Sequence, residues 1–248
     1  MFMLNLNLFS NLFKREKFIK MFISKTGTQS NIDKLHKKLR FLFDWIYYKI
    51  CYFCGKSSPS GVMCESCYKK ININPPKSYK TFNKIEIFSI TSYKDEVQKL
   101  IRGIKFHNQK EFASYAAQIL FDFWKNTSYA DTKFEIIPMP SHKKRVKERK
   151  YNHVDLIASE FSKLTGYPVN IELVCKVKDT VPQYKLNRTQ RLENLKGAFS
   201  VNKEKYTGAN LLLLDDICTT GVTLQEMIKA LNKAGISKLC GLVLSNPE

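Results

Sequence analysis

Two carboxylates stand side by side at Asp215 and Asp216, and small hydroxyl residues follow at once: Thr219, Thr220, Gly221 and Thr223. An acid pair can accept hydrogen bonds from the vicinal hydroxyls of a sugar, or approach a metal ion. Hydroxyls and backbone N–H groups gathered around a glycine at the start of a helix can converge on a phosphate. Four leucines at 211–214 precede the acids and read as a strand buried on both faces, as in a parallel α/β sheet. Beyond the loop, Leu224, Met227, Ile228 and Leu231 fall on one helical face. This strand–loop–helix unit puts its polar chemistry at a strand's carboxyl end, where open α/β sheets bind ligands. A plain Thr-rich cap would account for part of the pattern. It does not need two acids and three threonines around a glycine.

A second constellation is Cys51, Cys54, Cys64 and Cys67, two Cys-x-x-Cys pairs separated by a Ser-, Pro- and Gly-bearing tip. Four thiolates satisfy tetrahedral Zn²⁺ and leave no open position, so a structural zinc is expected. A redox dithiol is the alternative, but two pairs so close argue against it. The total of seven cysteines is odd, which fits metal ligation in a reducing compartment rather than a disulfide framework. With few apolar residues of its own, this knuckle needs its metal to fold.

The third is basic. Lys143, Lys144, Arg145, Lys147, Arg149 and Lys150 surround a single acid, Glu148, and read as a basic loop just after Pro138-Met139-Pro140-Ser141. Residues 176–196 add Lys178, Lys185, Arg188 and Arg191 and lack apolar periodicity, which reads as a basic loop or lid. Ser141, Lys143, Lys144, Arg145, Arg149, Lys185, Arg188 and Arg191 are therefore candidates to hold a pyrophosphate or a nucleic-acid backbone. The formal net charge is +19, with 41 Lys and Arg against 22 Asp and Glu, which predicts attraction to polyanions. A Lys-rich compositional bias is the competing source of that charge.

The elements that must position these groups follow in order. Residues 1–34 form an extension without a clear fold, and residues 35–75 hold a helix plus the cysteine module. Residues 80–248 read as the main α/β domain. Within it, strands are expected at 85–91, 134–137, 169–174, near 199, at the leucine run and at 238–244. Helices are expected at 93–106, 111–124, 151–164 and after the phosphate loop, with a Lys-, Asn- and Pro-rich connector at 69–84. No apolar run is long enough to span a membrane, and no signal peptide is evident.

The 211–224 stretch resembles the phosphoribosyl-pyrophosphate motif of type I phosphoribosyltransferases. The resemblance implies ribose contacts from Asp215 and Asp216, and 5′-phosphate contacts from Thr219, Thr220, Gly221 and Thr223. Residues 50–245 as a whole resemble the ComF family of competence-associated proteins. The shared features are the paired cysteines, Lys105-Phe106, Pro138–Pro140, Arg149 through Asn152, Gln190, Arg191 and Asn194 before Gly197-Ala198-Phe199, and the acid–threonine loop. The implied fold is a type I phosphoribosyltransferase-like parallel sheet flanked by helices, with a small N-terminal four-cysteine zinc knuckle. Where the family usually reads Arg-Gly-Phe-Asn-Gln, this chain has Arg149-Lys150-Tyr151-Asn152-His153.

The resemblance implies handling of imported single-stranded DNA in natural transformation. It also implies a pocket for phosphoribosyl pyrophosphate or a related nucleotide, with Mg²⁺ accompanying the diphosphate. A cytoplasmic location follows, with peripheral membrane association and contact with DNA-uptake machinery at the inner membrane as further expectations. An active phosphoribosyltransferase that releases pyrophosphate is the alternative, with no acceptor identified and no catalytic residue assigned.

Overall fold

Asn83 and Lys84 adopt positive φ angles of 51° and 68° and turn the chain back on itself after three residues of strand. Two successive left-handed residues are what a tight hairpin requires, because their twist matches that of the flanking strands. The hairpin joins β1 (Lys80–Phe82) to β2 (Ile85–Ser92) in antiparallel register, with Phe82 opposite Ile85. In the computed structural model the described residues are 50–58, 61–180 and 188–247, save the side chains of Arg149 and Arg188. The N-terminal extension, all but the last residue of the helix expected over 35–50, and Lys185 lie outside the described residues.

The main sheet has five strands in the order β1-β2-β7-β6-β3, where β3 is Phe134–Pro138, β6 is Asn210–Ile217 and β7 is Leu239–Asn246. All pairings beyond the first hairpin are parallel. Leu211–Leu214 of β6 are fully buried between β3 and β7, as a continuous apolar run demands of a central parallel strand. A small two-stranded ribbon pairs β4 (Val174–Lys176) with β5 (Phe199–Val201).

Helix α1 (Glu65–Lys69) belongs to the cysteine module. Helices α2 (Asp95–Phe106) and α3 (Phe112–Trp124) follow β2. A side chain at Gly103 would collide with the Phe112 ring, so the missing Cβ lets these two helices close on each other. Helix α3 also packs against α5 (His153–Thr165). Helix α7 (Val222–Lys233) packs against β5 and α6 (Arg188–Leu195), burying Leu224, Met227, Ile228 and Leu231 as the period of its apolar residues requires.

Three segments depart from the sequence expectation. The basic run after the Pro-Met-Pro turn is a helix, α4 (Lys143–Arg149), not a loop; His142 caps it by accepting from the Lys144 N–H. The basic stretch before Gly197 likewise carries α6 at its end. Residues 169–174 do not form a full strand: Val169 makes one bridge to Ile136, and regular pairing starts only at Val174. The Asn170 side chain accepts from the N–H groups of Glu172 and Leu173, so a local Asx turn takes the donors a strand would use.

Candidate functional site

The carboxyl ends of β6 and β3 lie next to each other, since the Met139 N–H donates to the Leu214 carbonyl at 2.8 Å. The acid pair and the Pro-Met-Pro-Ser turn are therefore neighbours. Side chains alternate along a strand, so Asp215 and Asp216 leave β6 on opposite faces. Asp216 is buried at 5% exposure. Its Oδ2 pairs with the Lys105 ammonium at the last turn of α2, and lies 3.1 Å from His153 Nε2 at the first turn of α5. Burial alone would raise the Asp216 carboxyl; Lys105 and His153 outweigh it and hold the group well below the usual carboxylate range. Asp215 is half-buried, and its Oδ1 accepts the Asp216 N–H at 2.9 Å. Burial, reinforced by the neighbouring Asp216 charge, pushes Asp215 up to about 8. The two acids are thus unlike: Lys105 and His153 favour the ionised form of Asp216, and burial beside that charge favours the protonated form of Asp215.

The phosphate-type loop sits between β6 and α7. Gly221 caps α7 with φ 80°, a left-handed conformation suited to glycine, and the Phe82 ring of β1 occupies the space a Cβ would fill. Lys80 Nζ donates to the Thr219 carbonyl and Arg191 Nη1 to the Thr219 hydroxyl, each at 3.0 Å. Two cations from distant elements therefore meet at one threonine. Thr220 and Thr223 are part-exposed beside it. Sequence reading missed Lys80 and Phe82, although the Asn83-Lys84 turn between apolar-alternating residues was a readable hairpin signal.

The Pro-Met-Pro-Ser turn is held by Asn152. Its Nδ2 donates to the Met139 carbonyl at 3.1 Å and to Asp155 Oδ1 at 2.6 Å, while its Oδ1 accepts from Ser141 Oγ at 2.9 Å and caps α5 at Val154. Burial pushes Asp155 up to about 6, and the Asn152 bond only partly opposes this. Ser141 is thereby fixed near the acid pair, whereas Lys143 and Lys144 are exposed. Arg145 Nη2 donates to the Thr180 carbonyl at 3.2 Å, and Asp179 lies 3.4 Å from His142 Nδ1, tying α4 to the segment after β4. Lys176, at the end of β4, is half-buried; burial first and the Arg145 charge second lower it to about 8, against the pull of Asp215 and Asp179. The structure thus joins Arg191 to the Thr219 loop and ties Ser141 to its Asn152 anchor; Lys143 and Lys144 are both exposed, with Lys144 Nζ 3.8 Å from Asp179 Oδ2.

The cysteine module satisfies the geometric test for one tetrahedral ion. All four Sγ atoms lie within 4.8 Å of one another, with Cys51–Cys67 at 3.8 Å and Cys54–Cys64 at 3.7 Å. Zn–S bonds of about 2.3 Å in a tetrahedron require sulfurs about 3.8 Å apart. Gly55, at φ 71°, turns the chain so that its N–H reaches the Cys51 carbonyl at 2.8 Å. The four thiols could therefore hold a metal ion. The module rests on the domain through aromatic contacts: Tyr52 and Phe53 lie 5.0 and 5.5 Å from the Phe112 ring, and Lys99 Nζ donates to the Phe53 carbonyl.

Residues 158–245 match the phosphoribosyl transferase domain family. Competence protein F of Haemophilus influenzae is 31% identical over 201 residues, an alignment covering 77% of this chain and 87% of that protein. DNA utilization protein YhgH of Escherichia coli strain K12 is 25% identical over 190 residues, covering 75% and 79% of the two chains. Competence protein ComFC of Bacillus subtilis is 25% identical over 191 residues, covering 75% and 72%.

Proposed function

The chain belongs to the ComF family of competence-associated proteins, and from that premise we propose that it handles imported single-stranded DNA during natural transformation, using a pocket for phosphoribosyl pyrophosphate or a related nucleotide. The observation that carries this reading is the match to competence protein F over 77% of this chain and 87% of that protein. In the pocket, the acid pair serves the ribose side. Thr219, Thr220, Gly221 and Thr223 serve the 5′-phosphate, with Ser141, Arg145 and Arg191 near the diphosphate and its Mg²⁺. The exposed Lys143 and Lys144, with Arg149, Lys185 and Arg188, track the DNA backbone. Zn²⁺ in the four-cysteine cluster is structural. We place the modules at 35–75 and 80–248, and the protein on the cytoplasmic side of the membrane near the uptake machinery. Deleting residues 1–20 tests membrane association: unchanged localisation argues against it. Among the described residues no helix is long and apolar enough to cross a membrane.

The test is an anisotropy titration of a labelled single strand. Affinity should fall steeply between about 50 and 200 mM salt as phosphate contacts are screened. A salt-independent affinity sinks the DNA reading. The paired Asp215→Ala/Asp216→Ala variant should keep DNA binding while transformation is lost.

Lys176 favours a second reading, an active phosphoribosyltransferase, because a half-buried amine close enough to feel the Arg145 charge suits a developing diphosphate. Labelled pyrophosphate release with a panel of bases distinguishes the two. Binding of phosphoribosyl pyrophosphate without release favours a sensing or binding role.

A further inference from the structure

The two acids of the pair meet different neighbours. Asp216 projects from β6 towards α2 and α5, where Lys105 and His153 converge on a single oxygen, Oδ2. A carboxylate can only accept, so the His153 ring presents Nε2–H to it. The side chains of Asp216, His153 and Lys105 are only 7%, 10% and 19% exposed. A ligand hydroxyl that replaced Lys105 at Asp216 would strand a nearly buried ammonium without its counter-charge. That loss exceeds what one hydroxyl–carboxylate bond returns. Asp215 projects from the other face of the strand and is more exposed.

We propose that Lys105 and His153 are positioning residues of the pocket: from two helices they hold Asp216 as a buried anion, so that Asp215 alone of the pair meets the ligand's hydroxyls. This rests on the phosphoribosyl reading above and divides its ribose-binding role unequally. Asp216 then serves to anchor the carboxyl end of β6 to α2 and α5, and the backbone N–H it offers to Asp215 Oδ1 orients the acid that does the reading.

The experiment is calorimetric titration of the full chain with ribose 5-phosphate, 2-deoxyribose 5-phosphate and inorganic phosphate. Wild type should prefer ribose over deoxyribose by about tenfold, the value of one hydrogen bond to a carboxyl group. Asp215→Asn should lose most of that preference. The paired variant Lys105→Met/Asp216→Asn removes both buried charges together and should keep the preference within about threefold. Lys105→Met alone should reduce it, and Lys105→Arg and His153→Gln, each retaining a donor to Asp216, should restore it. Inorganic phosphate affinity should stay near wild type in every variant scored, and so should melting temperature except in Lys105→Met alone, which leaves the Asp216 carboxylate buried without its ammonium. A paired variant that folds, binds phosphate and has lost the sugar preference overturns the proposal. Should that variant fail to fold, Asp215→Asn decides: retention of the wild-type preference overturns the proposal, and its loss supports it. Wild type that binds neither sugar phosphate removes the phosphoribosyl reading itself, and this inference with it.

Discussion

Burial and the Asp216 charge push Asp215 up to about 8, which favours its protonated form near neutral pH. Sugar hydroxyls donate to a carboxyl group more favourably when it is ionised, so ligand binding should draw that value down. Proton release on binding follows at pH 7, and affinity should rise with pH until it levels off above about 8. Calorimetry in two buffers of different ionisation enthalpy reads the released proton directly, and Asp215→Asn should abolish both the release and the pH slope. Lys150 offers a separate test. It closes α4 at φ 66°, in the left-handed region that glycine adopts without strain. Lys150→Gly should therefore stabilise the fold by about 1 kcal/mol in a denaturant titration; a loss of stability would show that the lysine side chain compensates for its backbone. At this scale the sequence displayed the acid pair and the threonines but not their unequal surroundings. Lys105 and His153 are remote from Asp216 in the chain, and only the fold brings two donors onto one oxygen.

Elements account for the loop's shape. Gly221 is constrained twice, by its positive φ and by the Phe82 ring against it. Gly221→Ala should cost about 2–4 kcal/mol, combining left-handed strain with overpacking. Adding Phe82→Ala should recover the packing part but not the strain, and a double variant no better than the single one would show that the ring does not press on the loop. The phosphate loop thus depends on a three-residue edge strand that composition disguised as a connector, since Lys and Asn are poor strand signals. Helix α4 was hidden for the opposite reason. Six of its seven residues are charged, so it has no apolar period to detect, and its cap on His142 and its ties to residues 179–180 become visible only in three dimensions. The buried strands and the amphipathic helices α2, α3, α5 and α7 were legible because each has a face that must meet the core.

At the scale of the molecule, the cysteine module and the sheet domain share an aromatic seam, with Phe112 touching Tyr52 and Phe53 on one side and filling the gap at Gly103 on the other. Stripping metal with a chelator under reducing conditions should lower the melting temperature by more than about 5 °C. Hydrogen exchange should quicken at residues 51–71 and 100–112 before it does in β6. An unchanged melting curve would show that the four thiols hold no ion that matters to the fold. The strand order has its own bearing on how the chain comes together during synthesis. Strands β6 and β7 occupy the middle of the sheet, yet they are made after every other strand. Until they emerge from the ribosome, β2 lacks its parallel neighbour, β3 has only its single bridge to Val169, and regular pairing is confined to the β1–β2 hairpin and the β4–β5 ribbon. A nascent chain stalled before Asn210 would display the apolar flanks of two incompletely paired strands, so this protein should depend on holding chaperones until β6 and β7 are made, and complete its sheet in one step after that.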